Sequence, residues 1–193
     1  MSGCSRDPGL RLRDDGWLDG ARQIASPNCD RRPEGEALSL IVVHAISLPP
    51  GQFAGDAIAR LFTNRLDAAA HPYFAQISTL QVSAHFLLRR DGELIQFVSC
   101  RQRAWHAGVS SWNGRLRCND FSLGIELEGC DDLPFADVQY RRLLDLLGLL
   151  CAHYPIEAVV GHSDVAPGRK TDPGPHFDWQ RLASVGDLPG SCR

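Results

Sequence analysis

Apolar residues fall along this chain in short dense runs separated by polar turns, with one long helical repeat near the middle of the second half. From Leu38 to Ile46 the residues are mostly aliphatic and β-branched, which predicts a buried strand ending at His44 before Pro49-Pro50-Gly51 forces a loop. Asp56 to Leu66 places Ile58, Leu61, Phe62 and Leu66 at helical spacing. Val82 to Arg90 and Glu93 to Ser99 flank Asp91-Gly92, the signal of a hairpin whose two-residue turn has positive φ at both positions. Phe121 to Leu127 alternates apolar residues with Ser, Gly and Glu, a central strand with Glu126 and Glu128 on its polar face. Apolar positions 140, 143, 144, 147, 150 and 151 predict an amphipathic helix from Asp137, its N-cap, to Tyr154, with Pro155 stopping it. Ile156 to Val160 then reads as a short strand delivering His162, and a last short helix begins near Phe177.

Strands interleaved with helices, together with one hairpin, indicate an α/β domain with a central mixed sheet flanked by helices. Residues 1–36 are rich in Arg, Asp, Gly and Pro and are expected to form an irregular arm, packed on the body or partly mobile. Residues 37–185 form the domain and 186–193 a C-terminal tail. At 193 residues and 44% hydrophobic content the chain is long enough for one sizeable core. A net charge of −3 gives no reason to expect a nucleic-acid partner. Met1 to Pro8 has no apolar signal segment, and no run of 18 apolar residues occurs, so a cytoplasmic protein that binds no membrane is expected. The seven cysteines are odd in number and show no Cys-x-x-Cys, which favours reduced thiols over disulfides, with a cysteine metal site or nucleophile as the alternative.

The chemistry concentrates at His44 and in Gly161-His162-Ser163-Asp164 running on to Arg169-Lys170-Thr171-Asp172-Pro173-Gly174. His44, His162 and Asp172 make a three-ligand set, which leaves a tetrahedral zinc ion one open position for water and therefore favours an enzyme. Pro167-Gly168 and Pro173-Gly174 allow the intervening loop to fold back on itself. Lys170 is either a solvated lysine or a stabiliser of oxyanion charge. Glu126 and Glu128 both qualify as the general base, and spacing does not separate them. His85 reads as a core or supporting residue and His106 as ambiguous, while His71, His153 and His176 read as surface residues. Trp105-His106-Ala107-Gly108 and Ser111-Trp112-Asn113-Gly114 suit either stacking on a sugar or peptide, or ordinary turns.

As an ordered set, Gly16-Trp17-Leu18, Ser83-Ala84-His85, Arg103-Ala104-Trp105-His106-Ala107-Gly108, Cys118-Asn119-Asp120-Phe121-Ser122, Gly124-Ile125-Glu126-Leu127-Glu128-Gly129 and Arg169-Lys170-Thr171-Asp172-Pro173-Gly174 resemble the zinc-dependent N-acetylmuramoyl-L-alanine amidases. The resemblance spans about residues 16 to 183 and implies the fold those enzymes share with peptidoglycan-recognition proteins. It implies zinc on His44, His162 and Asp172, Glu126 as base and Lys170 as stabiliser of the tetrahedral intermediate. The bond cut would join 1,6-anhydro-N-acetylmuramic acid to L-alanine of the stem peptide, in peptidoglycan recycling that restrains β-lactamase induction. Arg117 matches a position that receives peptide carboxylates, and Ala104 and Trp105 lie along the implied substrate groove. Two positions depart from the pattern: Ala45 stands where Asn is usual, and Gln81 where Arg is common. A monomer acting on a small muropeptide is expected. The rival readings are a lytic amidase acting on intact peptidoglycan and a non-catalytic muropeptide binder.

Overall fold

The computed structural model describes residues 9–183. In chain order the strands and helices are β1 (Arg11–Leu12), β2 (Leu18–Asp19), β3 (Arg22–Gln23), β4 (Cys29–Arg31), β5 (Leu40–Ile46), α1 (Ala57–Phe62), α2 (Pro72–Ile77), β6 (Phe86–Leu88) and β7 (Leu94–Gln96). They continue as β8 (Gln102–Ala104), β9 (Ser111–Trp112), β10 (Arg115–Leu116), β11 (Ser122–Glu128), α3 (Asp137–His153), β12 (Ala158–Gly161), α4 (His162–Val165) and α5 (Gln180–Ala183). Six strands form the main sheet in the order β12-β5-β11-β6-β7-β3. β5 lies between β12 and β11, parallel to both, and β11 is parallel to β6. Only the β6–β7 hairpin is antiparallel in this sheet, so the expected mixed α/β architecture is observed.

Alternation along β5 and β11 sorts the two faces. Ile41, Val43, Leu123, Ile125 and Leu127 join Leu143, Leu146, Leu147 and Leu150 of α3 in one core. Burying each such side chain contributes about 1.5–3 kcal/mol. The opposite face carries Leu40, Val42 and His44 from β5, and Ser122, Gly124, Glu126 and Glu128 from β11. A second core, with Leu61 and Phe62 of α1, Phe74 of α2, and Leu87, Ile95 and Phe97, builds the wall beside those polar residues.

Several boundaries differ from the sequence expectation, each for a local reason. β5 does not end at His44, because its backbone stays paired with β11 through Ile46. α1 stops at Phe62 rather than Leu66: Asn64 adopts φ +57, while Arg65 N–H donates to Arg60 O and Asn64 N–H to Leu61 O, closing the helix. The β6–β7 turn holds three residues, not two. Arg89 N–H donates to Glu93 O, Gly92 N–H donates to Arg89 O, and only Gly92 has positive φ (+90°). Asp137 is the first residue of α3 rather than its cap; Ala136 precedes it, and its N–H donates to Gln139 Oε1 at 3.0 Å. The final helix begins at Gln180 instead of near Phe177, with Asp178 Oδ1 accepting from the Gln180 N–H.

The described part of the expected arm, residues 9–36, is woven into the body instead of lying irregularly on it. β3 extends the main sheet beside β7, and β4 pairs with β8. Buried Gln96 clamps the entry, accepting from Leu18 N–H at 2.7 Å and donating to Gly16 O at 2.9 Å. Arg32 donates to the carbonyls of Asn119, Asp120, Gln102 and Ser122, and Arg103 bridges Asp30 and Asp120. The tail expected over 186–193 lies outside the described residues.

His85 is fully buried behind the site, its Nδ1 accepting from Gly124 N–H at 3.0 Å and its Nε2 donating to Gln102 O at 3.1 Å. Burial, reinforced by the Arg32 charge, pushes its pKa down to about 3. The unfolded chain therefore binds a proton here between about pH 3 and 6.5 that the folded chain refuses, so this contribution to stability is lost as pH falls below 6.5. Denaturant titrations at pH 7 and pH 5 are expected to show a loss of stability on acidification that shrinks by about 2 kcal/mol in His85→Gln. An unchanged pH dependence in that variant would contradict the assignment.

Candidate active site

Strand register assembles the site. β11 pairs with β5 so that Glu126 lies beside His44, and β12 pairs with β5 so that Gly161 lies beside Val43. His162, the first residue after β12, is thereby carried to the level of His44. The loop bearing Lys170 and Asp172 folds back, tied by Ser163 N–H donating to Asp172 O at 2.9 Å. Gly161 allows the return: a Cβ there would stand 2.9 Å from Pro173 Cδ.

The outcome is a triangle of donor atoms. His44 Nδ1 is 2.9 Å from His162 Nδ1, and Asp172 Oδ2 is 3.2 Å from the first and 3.0 Å from the second. Both histidines are buried and Asp172 is largely so. Two ring nitrogens facing one another beside one carboxylate oxygen cannot share a proton well, whereas a divalent cation satisfies all three lone pairs at once. Two imidazoles and a carboxylate are also a recognised catalytic donor set, with a coordination position left over. Among the described residues this is the one trio of histidine, cysteine or acidic groups able to hold a metal ion.

Electrostatics support metal binding. Burial pushes the His44 pKa down to about 4 against the opposing influence of the Asp172 carboxylate, so the ring is neutral near neutral pH. Burial alone would raise Asp172, but its close approach to the His162 and His44 rings outweighs it and holds the carboxyl well below its usual range. Glu126 behaves in the opposite way. Burial, then the charge of Asp172, raises its pKa well above the ordinary carboxyl value, against a smaller opposing effect of Lys170. Its Oε2 is buried with no hydrogen-bond partner. That unpaired oxygen is costly unless a ligand or proton meets it.

The geometry separates the two candidate bases that alternation could not. Glu128 is committed: Oε1 accepts from Ala54 N–H at 2.8 Å and Oε2 from Arg90 N–H at 3.1 Å, with Arg89 at 3.7 Å. It braces the loop after β5 and the β6–β7 turn. Glu126 alone of the pair lines the cleft that holds the donor trio, as does the exposed Lys170.

That cleft has a volume of about 560 Å³, polar at the trio and apolar along a wall that includes Leu48, Leu61, Phe62, Tyr73 and Ile77. Of the five expected substrate contacts, Ala45 lines it directly. Gln81 is exposed between Leu80 and Val82, which both line it. Ala104 is fully buried in the second core, Trp105 is half-buried outside the lining, and Arg117 is exposed with its Nε 3.2 Å from Asp120. Tyr73 and the helix α2 that carries it were absent from the sequence reading; the available signal was Pro72 at a first helical position after His71, whose Nδ1 accepts from Tyr73 N–H. His71 is thus half-buried, while His153 and His176 are exposed.

A family model described as N-acetylmuramoyl-L-alanine amidase matches residues 34–175. The chain is 56% identical over 176 residues to the 1,6-anhydro-N-acetylmuramyl-L-alanine amidase AmpD of Citrobacter freundii, covering 90% of this chain and 94% of that relative. A crystal structure of a selenomethionine derivative of AmpD superposes with a TM-score of 0.88 at 56% identity, over 90% of this chain and 98% of that one. The amidase AmiD from Escherichia coli, solved with anhydro-N-acetylmuramic acid-L-Ala-D-γ-Glu-L-Lys as substrate, superposes with a TM-score of 0.58 at 30% identity, over 94% of this chain and 66% of that one. With its mixed sheet, its donor trio and this similarity over nearly its whole length, the chain belongs to the N-acetylmuramoyl-L-alanine amidase family.

Proposed function

We propose that this amidase is zinc-dependent and hydrolyses the amide bond between 1,6-anhydro-N-acetylmuramic acid and L-alanine of the stem peptide. The convergence of His44, His162 and Asp172 beside the unpaired Glu126 oxygen is the observation that carries the reading. The relatives supply the substrate class: AmpD is named for this bond, and AmiD was solved with an anhydromuropeptide. We assign the activity to cytoplasmic peptidoglycan recycling, where removing anhydromuropeptides restrains β-lactamase induction. No helix among the described residues is long and apolar enough to cross a membrane.

Zinc held by His44, His162 and Asp172 would polarise the scissile carbonyl and bring the pKa of a water to about 7. Glu126 performs the proton transfers. Its buried Oε2 accepts the proton of the attacking water, and the raised carboxyl pKa makes the protonated acid a competent donor to the departing alanine nitrogen. Lys170, which lines the same cleft, is assigned to stabilise the negative charge that develops on the carbonyl oxygen. The apolar wall offers a surface for the less polar faces of the substrate and excludes water from them.

Incubation with anhydro-muramyl tripeptide, followed by mass spectrometry, is expected to release intact tripeptide with zinc and none after chelation. Cleavage that persists in the chelated protein would end the zinc reading. Digestion of intact sacculi at a rate comparable to soluble anhydromuropeptide would instead assign a lytic role.

Glu126→Gln keeps the shape but not the base, and is expected to lower kcat by about 10²–10⁴-fold with zinc content unchanged. Full activity in that variant would remove Glu126 from the mechanism. Lys170→Met is expected to lower kcat by about 10²–10³-fold with little change in KM, and an effect confined to KM would make Lys170 a binding group only.

A further inference from the structure

His106 is outside the donor trio, yet it touches it directly. His44 Nε2 lies 2.9 Å from His106 Nδ1; His106 Nε2 lies 3.2 Å from Ser122 Oγ; and Ser122 Oγ donates to Cys118 O at 2.6 Å. The Cys118 end of this chain fixes its direction. A carbonyl oxygen only accepts, so the Ser122 hydroxyl proton points at Cys118 O and its oxygen accepts from His106 Nε2–H. His106 therefore carries its proton on Nε2 and presents a bare Nδ1, which accepts from His44 Nε2–H. His44 is left with its lone pair on Nδ1, the atom that faces His162 and Asp172.

Sterics give independent support. The His106 ring lies against β11 at Gly124, where a Cβ would stand 2.5 Å from the ring Cγ. One face of β11 thus supplies Ser122 to accept from the ring, Gly124 to admit it and Glu126 to the cleft. The backbone around His106 is held as well: His106 N–H and Ala107 N–H both donate to Asn119 Oδ1, at 3.3 and 2.8 Å. The next carbonyl, Ala107 O, accepts from His162 Nε2–H at 3.2 Å and from Arg169 Nη2 at 2.7 Å. Residues 106 and 107 together engage the outer nitrogens of both metal-facing histidines.

We infer that His106 is a positioning residue for the metal centre, holding the His44 imidazole in the tautomer and ring plane that present Nδ1 as a metal donor. The inference rests on reading the trio as zinc donors. Groups that orient a metal-bound histidine in this way commonly set metal affinity by 10–100-fold. The Trp105–Gly108 loop is on this account a scaffold for the ligands, whatever substrate it also meets.

The test is zinc affinity of the full chain, measured by competition with a chromophoric chelator, alongside the melting temperature of the metal-free form. His106→Leu keeps much of the volume and loses the acceptor, and is expected to bind zinc at least about 10-fold more weakly. His106→Asn loses volume but places an amide oxygen near the Nδ1 position, and is expected to recover most of the wild-type affinity. Ser122→Ala is expected to fall between wild type and the leucine variant. A role in packing alone reverses the order of Asn and Leu, and that order, or a leucine variant that binds zinc like wild type, overturns the inference. If the leucine variant does not fold, imidazole ¹⁵N NMR of the wild-type zinc form decides: a proton on His106 Nε2 supports the account, and one on Nδ1 contradicts it. A wild-type chain that takes up no zinc would instead defeat the reading of the trio itself.

Discussion

Parallel pairing of β5 with β11 on one side and β12 on the other is the constraint on which this site depends. Side chains alternate across a sheet, so a slip of one residue in either register would turn His44 or Glu126 from the cleft into the leucine core beneath α3. The aliphatic face that packs on α3 locks that register, since Ile41, Val43, Leu123, Ile125 and Leu127 cannot be exposed cheaply. The hydrophobic core thereby fixes the position of polar groups that contribute nothing to it. Burying them is itself costly, and the surroundings offset the cost selectively. Glu128 and Gln96 are satisfied by hydrogen bonds, while Glu126 Oε2 has no protein partner and the donor trio is, on the proposed reading, left to a metal ion.

Support arrives from distant parts of the chain. Arg32, from a segment with few sequence cues to order, ties together the carbonyls on which β8 and the start of β11 turn. Arg169 pins Ala107 and Val109, and so fixes the loop that meets both histidines from outside. Thr171, between Lys170 and Asp172, donates to Asp131 Oδ2 at 2.6 Å, joining that loop to the segment that follows β11. Preorganisation of this kind lowers the reorganisation needed during reaction.

Much of this was legible in the sequence because it is written in local periodicity. β5, β11, α3 and the β6–β7 hairpin each carry enough apolar repeats to declare themselves, and the sequence named the three residues whose donor atoms the structure brings together. What could not be read has a physical cause in each case. Glu126 and Glu128 share a strand face, so only the donors that reach Glu128 from residues 54 and 90 distinguish them. α2 is six residues long, too short for periodicity, and Tyr73 went unnoticed with it. The strands of the N-terminal segment are two or three residues each and are held by side chains far away in sequence. His106 looked like part of a substrate loop because its partners, His44 and Ser122, are separated from it by 62 and 16 residues.

The central claim is that His44, His162 and Asp172 hold a zinc ion with one position open for water. X-ray absorption at the zinc edge tests it most directly. The account predicts a four-coordinate shell of nitrogen and oxygen only, at about 2.0–2.2 Å, with histidine scattering from two imidazoles. A sulfur neighbour at about 2.3 Å, or a shell with fewer than two imidazoles, would move the metal to a cysteine-containing site and contradict it.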